Sequence, residues 1–168
     1  MKTMFFLIMV IAFSISSFSQ NDTAFDEMLK KYYKGTVETI PAAQLYEDMQ
    51  NDTGIVILDA REKREYDVSH LKNAVYVGFS EFSFKKVKKL PKDAKIIVYC
   101  SIGARSENIG EKLLSKGFKN VYNLYGGIFD WKNKGYQVYD NSGEETEDVF
   151  AYSKEWGVWL KKGNKVYE

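Results

Sequence analysis

The chain has one cysteine and one histidine in 168 residues, and its 24 basic and 23 acidic residues leave a formal charge of only +1. A lone cysteine cannot close an intramolecular disulfide, so the fold must be held by its core. One cysteine and one histidine cannot complete a closed metal site, and no bound cofactor is implied. Disulfide exchange of the thioredoxin type needs a second cysteine and is excluded. The near-neutral balance leaves no footprint for nucleic acid. Internal repeats and low-complexity tracts are absent. The apolar run from Met4 to Ile15 is too short for a comfortable membrane span.

What is present suits one domain with short additions. Apolar residues make up 45% of the chain and aromatic residues 15%, ample for a two-layer or three-layer core. The opening stretch MKTMFFLIMVIAFSISSFSQ has a positive residue at Lys2, an apolar run, and small residues at Ser17 and Ser19. It reads as a secretory signal peptide over residues 1–19, cleaved near Ser19/Gln20, which predicts a periplasmic or secreted protein with no stable membrane anchor after cleavage. Cleavage removes Lys2 and no acid, taking the formal charge from +1 to 0.

Residues 20–35 read as a polar helical lead-in ended by Gly35 and lying outside the core. TVETI (36–40) suits a strand, and Pro41 opens the helix PAAQLYEDMQ with Ala42, Leu45 and Met49 on one side. Two runs, IVIL (55–58) and IIVY (96–99), are continuously apolar, the pattern of parallel strands buried on both faces. AVYV (74–77) and NVYNL (120–124) are shorter strand candidates. EKREY, EFSFKKVKKL and RSENIGEKLLSKGF read as the helices between them. Strands alternating with helices imply an α/β domain, a mostly parallel central sheet with helices on both faces. The lysine-rich stretch 85–95 reads as a solvated helix face around an inward stripe of Phe84, Val87 and Leu90, with a docking patch for an acidic partner as the alternative. Residues 139–168 form an acidic and then aromatic extension, expected to fold back on the domain. There WGVWL and KVYE look like two strands around a turn.

The chemistry concentrates in CSIGARS. Cys100 follows a buried strand, and Arg105 and Ser106 open the next helix, so the thiol sits at the carboxyl end of a parallel sheet, where open α/β folds place ligands. Ser101, Ile102, Gly103 and Ala104 are mostly small, so their N–H groups can turn inward as an anion cradle, reinforced by the helix N-terminus. Such surroundings favour thiolate over thiol, and Arg105 can supply a forked clamp for an anionic substrate. A buried cysteine acting as a small hydrophobe needs neither the glycine turn nor the arginine.

Three stretches carry a family resemblance. The loop Cys100-Ser101-Ile102-Gly103-Ala104-Arg105-Ser106 resembles the C-x-x-G-x-R-S active-site loop of single-domain rhodanese-like sulfurtransferases. Leu58-Asp59-Ala60-Arg61, Glu65-Tyr66 and Ser69-His70-Leu71 with Ala74 resemble the family's D-x-R-x-x-x-E-[YF]…G-H-I-x-G-A segment. Leu124-Tyr125-Gly126-Gly127-Ile128-Phe129-Asp130-Trp131 resembles its L-x-G-G-x-x-x-W signature. Ser69 and Asn73 stand where the family usually has glycine; asparagine accepts left-handed backbone readily and serine less so. Gly126 and Gly127 are expected to permit close backbone packing.

The resemblance spans residues 36–138 and implies a rhodanese-like three-layer sandwich. It also implies a ping-pong reaction: Cys100 takes sulfane sulfur from a small anionic donor such as thiosulfate, then yields it to cyanide or a thiol, with a protein acceptor as a further option. Residues 101–106 would bind the donor, Asp59 and Arg61 would brace the sheet edge, and His70 would be structural.

Several rivals remain. Phosphatases and arsenate reductases of the same fold use Cys-x5-Arg, whereas Arg105 comes one position earlier. A cysteine hydrolase would need Cys100 oriented by a histidine, for which only His70 is available. A persulfide carrier, or a rhodanese-fold binding module for another exported protein, would share every motif.

Overall fold

The computed structural model describes residues 23–51 and 54–167. The expected signal peptide lies outside them. The chain divides into two compact units between Tyr32 and Tyr33. In the first, residues 23–32 form helix α1. Its Phe25, Met28 and Leu29 are buried, an apolar stripe at i, i+3 and i+4.

The second unit is built on a five-stranded, all-parallel sheet in the order β1-β5-β4-β2-β3. Its strands are β1 (Thr39–Ile40), β2 (Val56–Asp59), β3 (Val75–Tyr76), β4 (Lys95–Tyr99) and β5 (Asn120–Leu124). β4 is central, with Ile96, Ile97, Val98 and Tyr99 all fully buried, as a strand covered on both faces requires. Helices α2 (Ala42–Asn51), α3 (Lys63–Val68), α4 (Ala104–Ser115) and α5 (Gly127–Asn133) connect the strands, giving the three-layer α/β sandwich. On one face Leu58, Ile96, Val98 and Val121 pack with Ile109 and Leu113 of α4. The opposite face takes Ile57, Ile97 and Tyr99 by strand alternation, and α2 meets α5 there through Tyr46, whose ring lies 6.2 Å from that of Trp131. The chain leaves β2 toward β3 but leaves β4 toward β5. The topological switch, and the crevice that accompanies it, therefore falls at the carboxyl ends of β2 and β4.

Two expectations are corrected. EFSFKKVKKL forms no α-helix; only Phe84–Lys86 makes a single 3-10 turn, started by Ser83, whose hydroxyl accepts from Lys85 N–H. A helix there would stack Lys85 on Lys89 and Lys88 on Lys92, like charges at i, i+4, and Pro91 disfavours helical backbone at Leu90. Phe82, Phe84, Val87 and Leu90 still reach the core from this irregular chain.

In the extension, WGVWL is not a strand. The strand is β8 (Asp148–Tyr152), followed by a one-turn helix α6 (Lys154–Gly157), and β8 pairs in parallel with β9 (Asn164–Tyr167). Ser153 accepts from Trp156 N–H and so turns the chain into α6. The connection then works as a crossover, which parallel strands need, and not as a hairpin. Val149, Ala151 and Leu160 are fully buried and Arg64 lies over the Phe150 ring, so the extension packs back on the sandwich. A short antiparallel pair, β6 (Val138–Tyr139) with β7 (Glu145–Thr146), precedes it.

Candidate active site

Cys100 is the first residue after β4 and is 1% exposed. Three residues later Gly103 caps α4 at φ 104°, a left-handed conformation that glycine adopts without strain. The turn brings Gly103 N–H to 3.1 Å from Cys100 Sγ. The sulfur thus sits at the N-terminus of a 12-residue helix and accepts from its capping amide. Both stabilise negative charge on it.

The loop is held from three sides. Asn123 of β5, fully buried, donates from Nδ2 to Gly103 O at 3.0 Å. The Ser106 hydroxyl lies 2.7 Å from Asn123 Oδ1 and 3.0 Å from Gly103 O, sharing one proton between two acceptors. Ser106 therefore secures the loop with the hydroxyl that was expected to meet the donor. From α5, Ile128 N–H donates to Cys100 O at 2.9 Å and Phe129 N–H to Ser101 O at 3.1 Å. Gly127 makes this approach possible: a Cβ there would lie 2.3 Å from Cys100 O. From the amino-terminal side, Tyr33 Oη donates to Ile102 O at 2.7 Å and accepts from Gly126 N–H at 2.9 Å.

Arg105 does not project as a free fork. Its Nη1 and Nη2 engage the two Glu65 oxygens at 2.6 and 2.7 Å, and Nη2 also reaches Ser101 Oγ at 3.0 Å. Ser101 Oγ in turn donates to Glu65 Oε1. The guanidinium is therefore fixed in place by a carboxylate that offsets its charge, with its side chain 24% exposed. Burial pushes the Glu65 carboxyl up, but the hydrogen-bonded Arg105 and the nearby Arg61 outweigh it and hold the group below the ordinary glutamate value of 4.5. A depressed folded-state value means Glu65 stabilises the fold above about pH 4.5, and that contribution is lost as pH falls through the lowered value. Glu65→Gln is expected to lower the urea midpoint at pH 7 and to flatten its fall below pH 4.5. Parallel pH profiles for the two proteins would refute this assignment.

Asp59 and Arg61 are both fully buried. Asp59 accepts from Arg61 Nε, Nη2 and the Arg61 main-chain N–H, and from Tyr99 Oη. Arg61 Nη2 also donates to Ser69 O, and Tyr99 Oη accepts from Leu71 N–H. This network ties β2, β4 and the segment after α3 together. Ser69 itself is extended, at φ −168°, so serine is unstrained there, although its buried hydroxyl has no hydrogen-bond partner among the described residues; Asn73 takes the left-handed conformation, at φ 61°. His70 stacks on Tyr66 with centroids 4.0 Å apart, and its main chain bridges Tyr139. Its ring Nδ1 lies 3.2 Å from Tyr66 O, and no hydrogen bond among the described residues links it to Cys100. The described residues contain no cluster of three or more metal-ligating side chains.

The family model for the rhodanese-like domain matches residues 42–134, more than half of the chain. The chain belongs to the rhodanese-like domain family. The thiosulfate sulfurtransferase GlpE of Coxiella burnetii is 35% identical over 78 residues, covering 46% of this chain and 72% of that protein. The tRNA uridine(34) hydroxylase of Buchnera aphidicola is 33% identical over 139 residues, covering 71% of this chain but only 41% of that protein. A rhodanese-related protein from Thermoplasma volcanium superposes with a TM-score of 0.53 at 34% identity, over 60% of this chain and 96% of its own.

Within this rhodanese-like site, sequence reasoning missed three residues: Glu65, Asn123 and Tyr33. Glu65 had a signal, since it stands inside the D-x-R-x-x-x-E stretch, and a carboxylate near the loop arginine is its natural counter-charge. Asn123 had a weaker one, as a polar residue between Tyr122 and Leu124 in a strand candidate. Tyr33 had none, because it precedes the matched segment.

Proposed function

We propose that the chain is a sulfurtransferase of the thiosulfate sulfurtransferase class, acting through a Cys100 persulfide. The Cys100 thiolate attacks the outer sulfur of thiosulfate, forming a sulfur–sulfur bond as the bond to the sulfite group breaks. Sulfite leaves with the electron pair and Cys100 carries a persulfide anion. Cyanide or a thiolate then attacks the outer sulfur, and Cys100 leaves as thiolate. Electrons balance within the two steps, with no metal or redox cofactor taking part. The observation that carries this reading is the Gly103 N–H facing Cys100 Sγ in a Cys-x4-Arg loop whose arginine is locked by Glu65. Loop amides and the helix N-terminus suit a persulfide anion, and the loop is one residue shorter than the Cys-x5-Arg cradle that encloses a tetrahedral phosphate. The thiosulfate sulfurtransferase name of the Coxiella relative supports the same choice.

The test is intact-mass measurement after incubation with thiosulfate, followed by thiocyanate assay on adding cyanide. One added sulfur, about 32 Da, absent in Cys100→Ser, together with multiple turnovers is the expected result. An adduct without turnover would make the chain a persulfide carrier, and no adduct would end the sulfur reading.

A further inference from the structure

The Ile102–Gly103 peptide unit has both ends engaged. Its carbonyl accepts from Tyr33 Oη at 2.7 Å, and its N–H donates to Cys100 Sγ at 3.1 Å. A trans peptide is planar with C=O and N–H pointing in opposite directions, so holding the oxygen fixes the direction of the hydrogen. Nothing in the local backbone would otherwise prevent this unit from turning over, because the residue that follows it is glycine, which tolerates either sense. Turning the N–H away from the sulfur requires breaking the Tyr33 bond.

The tyrosine is itself fixed. Its hydroxyl accepts from Gly126 N–H, and its ring meets Tyr125 edge-on with centroids 5.8 Å apart. It also covers the glycine directly, since a Cβ on Gly103 would lie 1.9 Å from Tyr33 Oη. Burial pushes the Tyr33 phenol well above its ordinary value, so it remains a donor throughout the physiological range. A hydrogen bond to the carbonyl also polarises the amide and strengthens its N–H as a donor.

We infer that Tyr33 is a positioning residue for the Cys100 thiol: its hydroxyl orients and polarises the Ile102–Gly103 peptide so that the Gly103 N–H stays on the sulfur. The residue lies outside the segment matched by the family, so this chain completes its rhodanese-like site from its own amino-terminal side. The inference depends on Cys100 being the reactive group and not on any sulfur donor.

The measurement is the pH titration of the ultraviolet thiolate absorbance, taken as the difference between each protein and its Cys100→Ser counterpart; the single cysteine makes that difference specific. Among the described residues, the charged groups acting on the thiol and its surroundings include Arg105 of α4, its partner Glu65 of α3, Arg61 behind that pair, and Glu107 of α4 on the Tyr33 side, and none is altered. Tyr33→Phe keeps the ring and removes the hydroxyl, whereas Tyr33→Ala removes both. Both variants are expected to raise the thiolate midpoint by about 0.5 to 1 pH unit, while only Tyr33→Ala markedly lowers the melting temperature. A Tyr33→Phe midpoint equal to that of the unaltered chain would overturn the inference whatever happens to stability, since packing alone would then explain the residue. A shifted midpoint in a protein that takes no sulfur from thiosulfate would uphold Tyr33 and defeat the sulfur-transfer reading. An unshifted midpoint with normal loading would do the reverse.

Discussion

Asp59→Ala is expected to lower stability by about 3–5 kcal/mol, the cost of stripping the counter-charge from a buried ion pair. Arg61 cannot escape to water, because its side chain has no exposure, and its Nη1 already lacks a hydrogen-bond partner among the described residues. Removing the carboxylate would leave Nε without an acceptor and Nη2 with only Ser69 O, and would leave the Tyr99 hydroxyl its Leu71 N–H donor but no acceptor for its proton. A domain of this size is held by some 5–15 kcal/mol, so the loss is a large fraction of the whole. Replacing both partners, as Asp59→Leu with Arg61→Met, is expected to recover much of the deficit, since an apolar pair of similar volume avoids the desolvation penalty. Urea unfolding of the three proteins checks this. An unchanged midpoint for Asp59→Ala would show that the pair contributes nothing net.

The second large effect is expected at Gly127. A Cβ there would lie 2.3 Å from Cys100 O and 2.7 Å from both Ser101 C and Ser101 O. All three are main-chain atoms that no rotamer change can move aside. The residue also sits at φ 57°, where alanine pays roughly 1–2 kcal/mol. Gly127→Ala must push α5 away from the loop and break the Ile128 and Phe129 hydrogen bonds to Cys100 and Ser101. Sulfur loading is expected to fall at least tenfold, equivalent to about 1.4 kcal/mol in the barrier. Gly117→Ala is the matched control: its φ is 85°, but a Cβ there meets nothing within 4 Å. It should lose stability through backbone strain and keep its loading rate. Equal loading losses in the two variants would assign the Gly127 effect to strain alone.

The sheet was legible because burial on both faces writes itself as continuous apolar runs. IVIL and IIVY became the β2 and β4 regions with little shift in boundary. Shorter strands were less legible: TVETI pairs only at Thr39–Ile40, since it is an edge strand whose length depends on what β5 offers. The extension was misread because its aromatic content fits a hairpin as well as it fits β8, α6 and β9, and local pattern does not report which strand finds which neighbour. The lysine stretch misled for a different reason. Its inward residues were right, but like-charge repulsion and Pro91 removed the helix that would have spaced them.

The same contrast holds at the active site. Cys100 to Ser106 is one continuous stretch in which geometry and chemistry share a local code. Glu65, Asn123 and Tyr33 reach it from α3, from β5 and from the chain before β1, and their convergence depends on the folded topology.

The main chain around Cys100 has little freedom left. Tyr99 O accepts from Ala60 N–H on one side, and Cys100 O and Ser101 O accept from α5 on the other. On the proposed sulfur-transfer reading, a sulfur atom carried there would not travel by displacement of the loop, as cargo does on a swinging arm. Its only cheap motion is rotation about the cysteine side-chain bonds, which sweeps a few ångströms. Delivery would then be a matter of the acceptor's reach, since Cys100 is 1% exposed: the proposed reading expects a slender nucleophile, or a protein thiol projected on an extended segment.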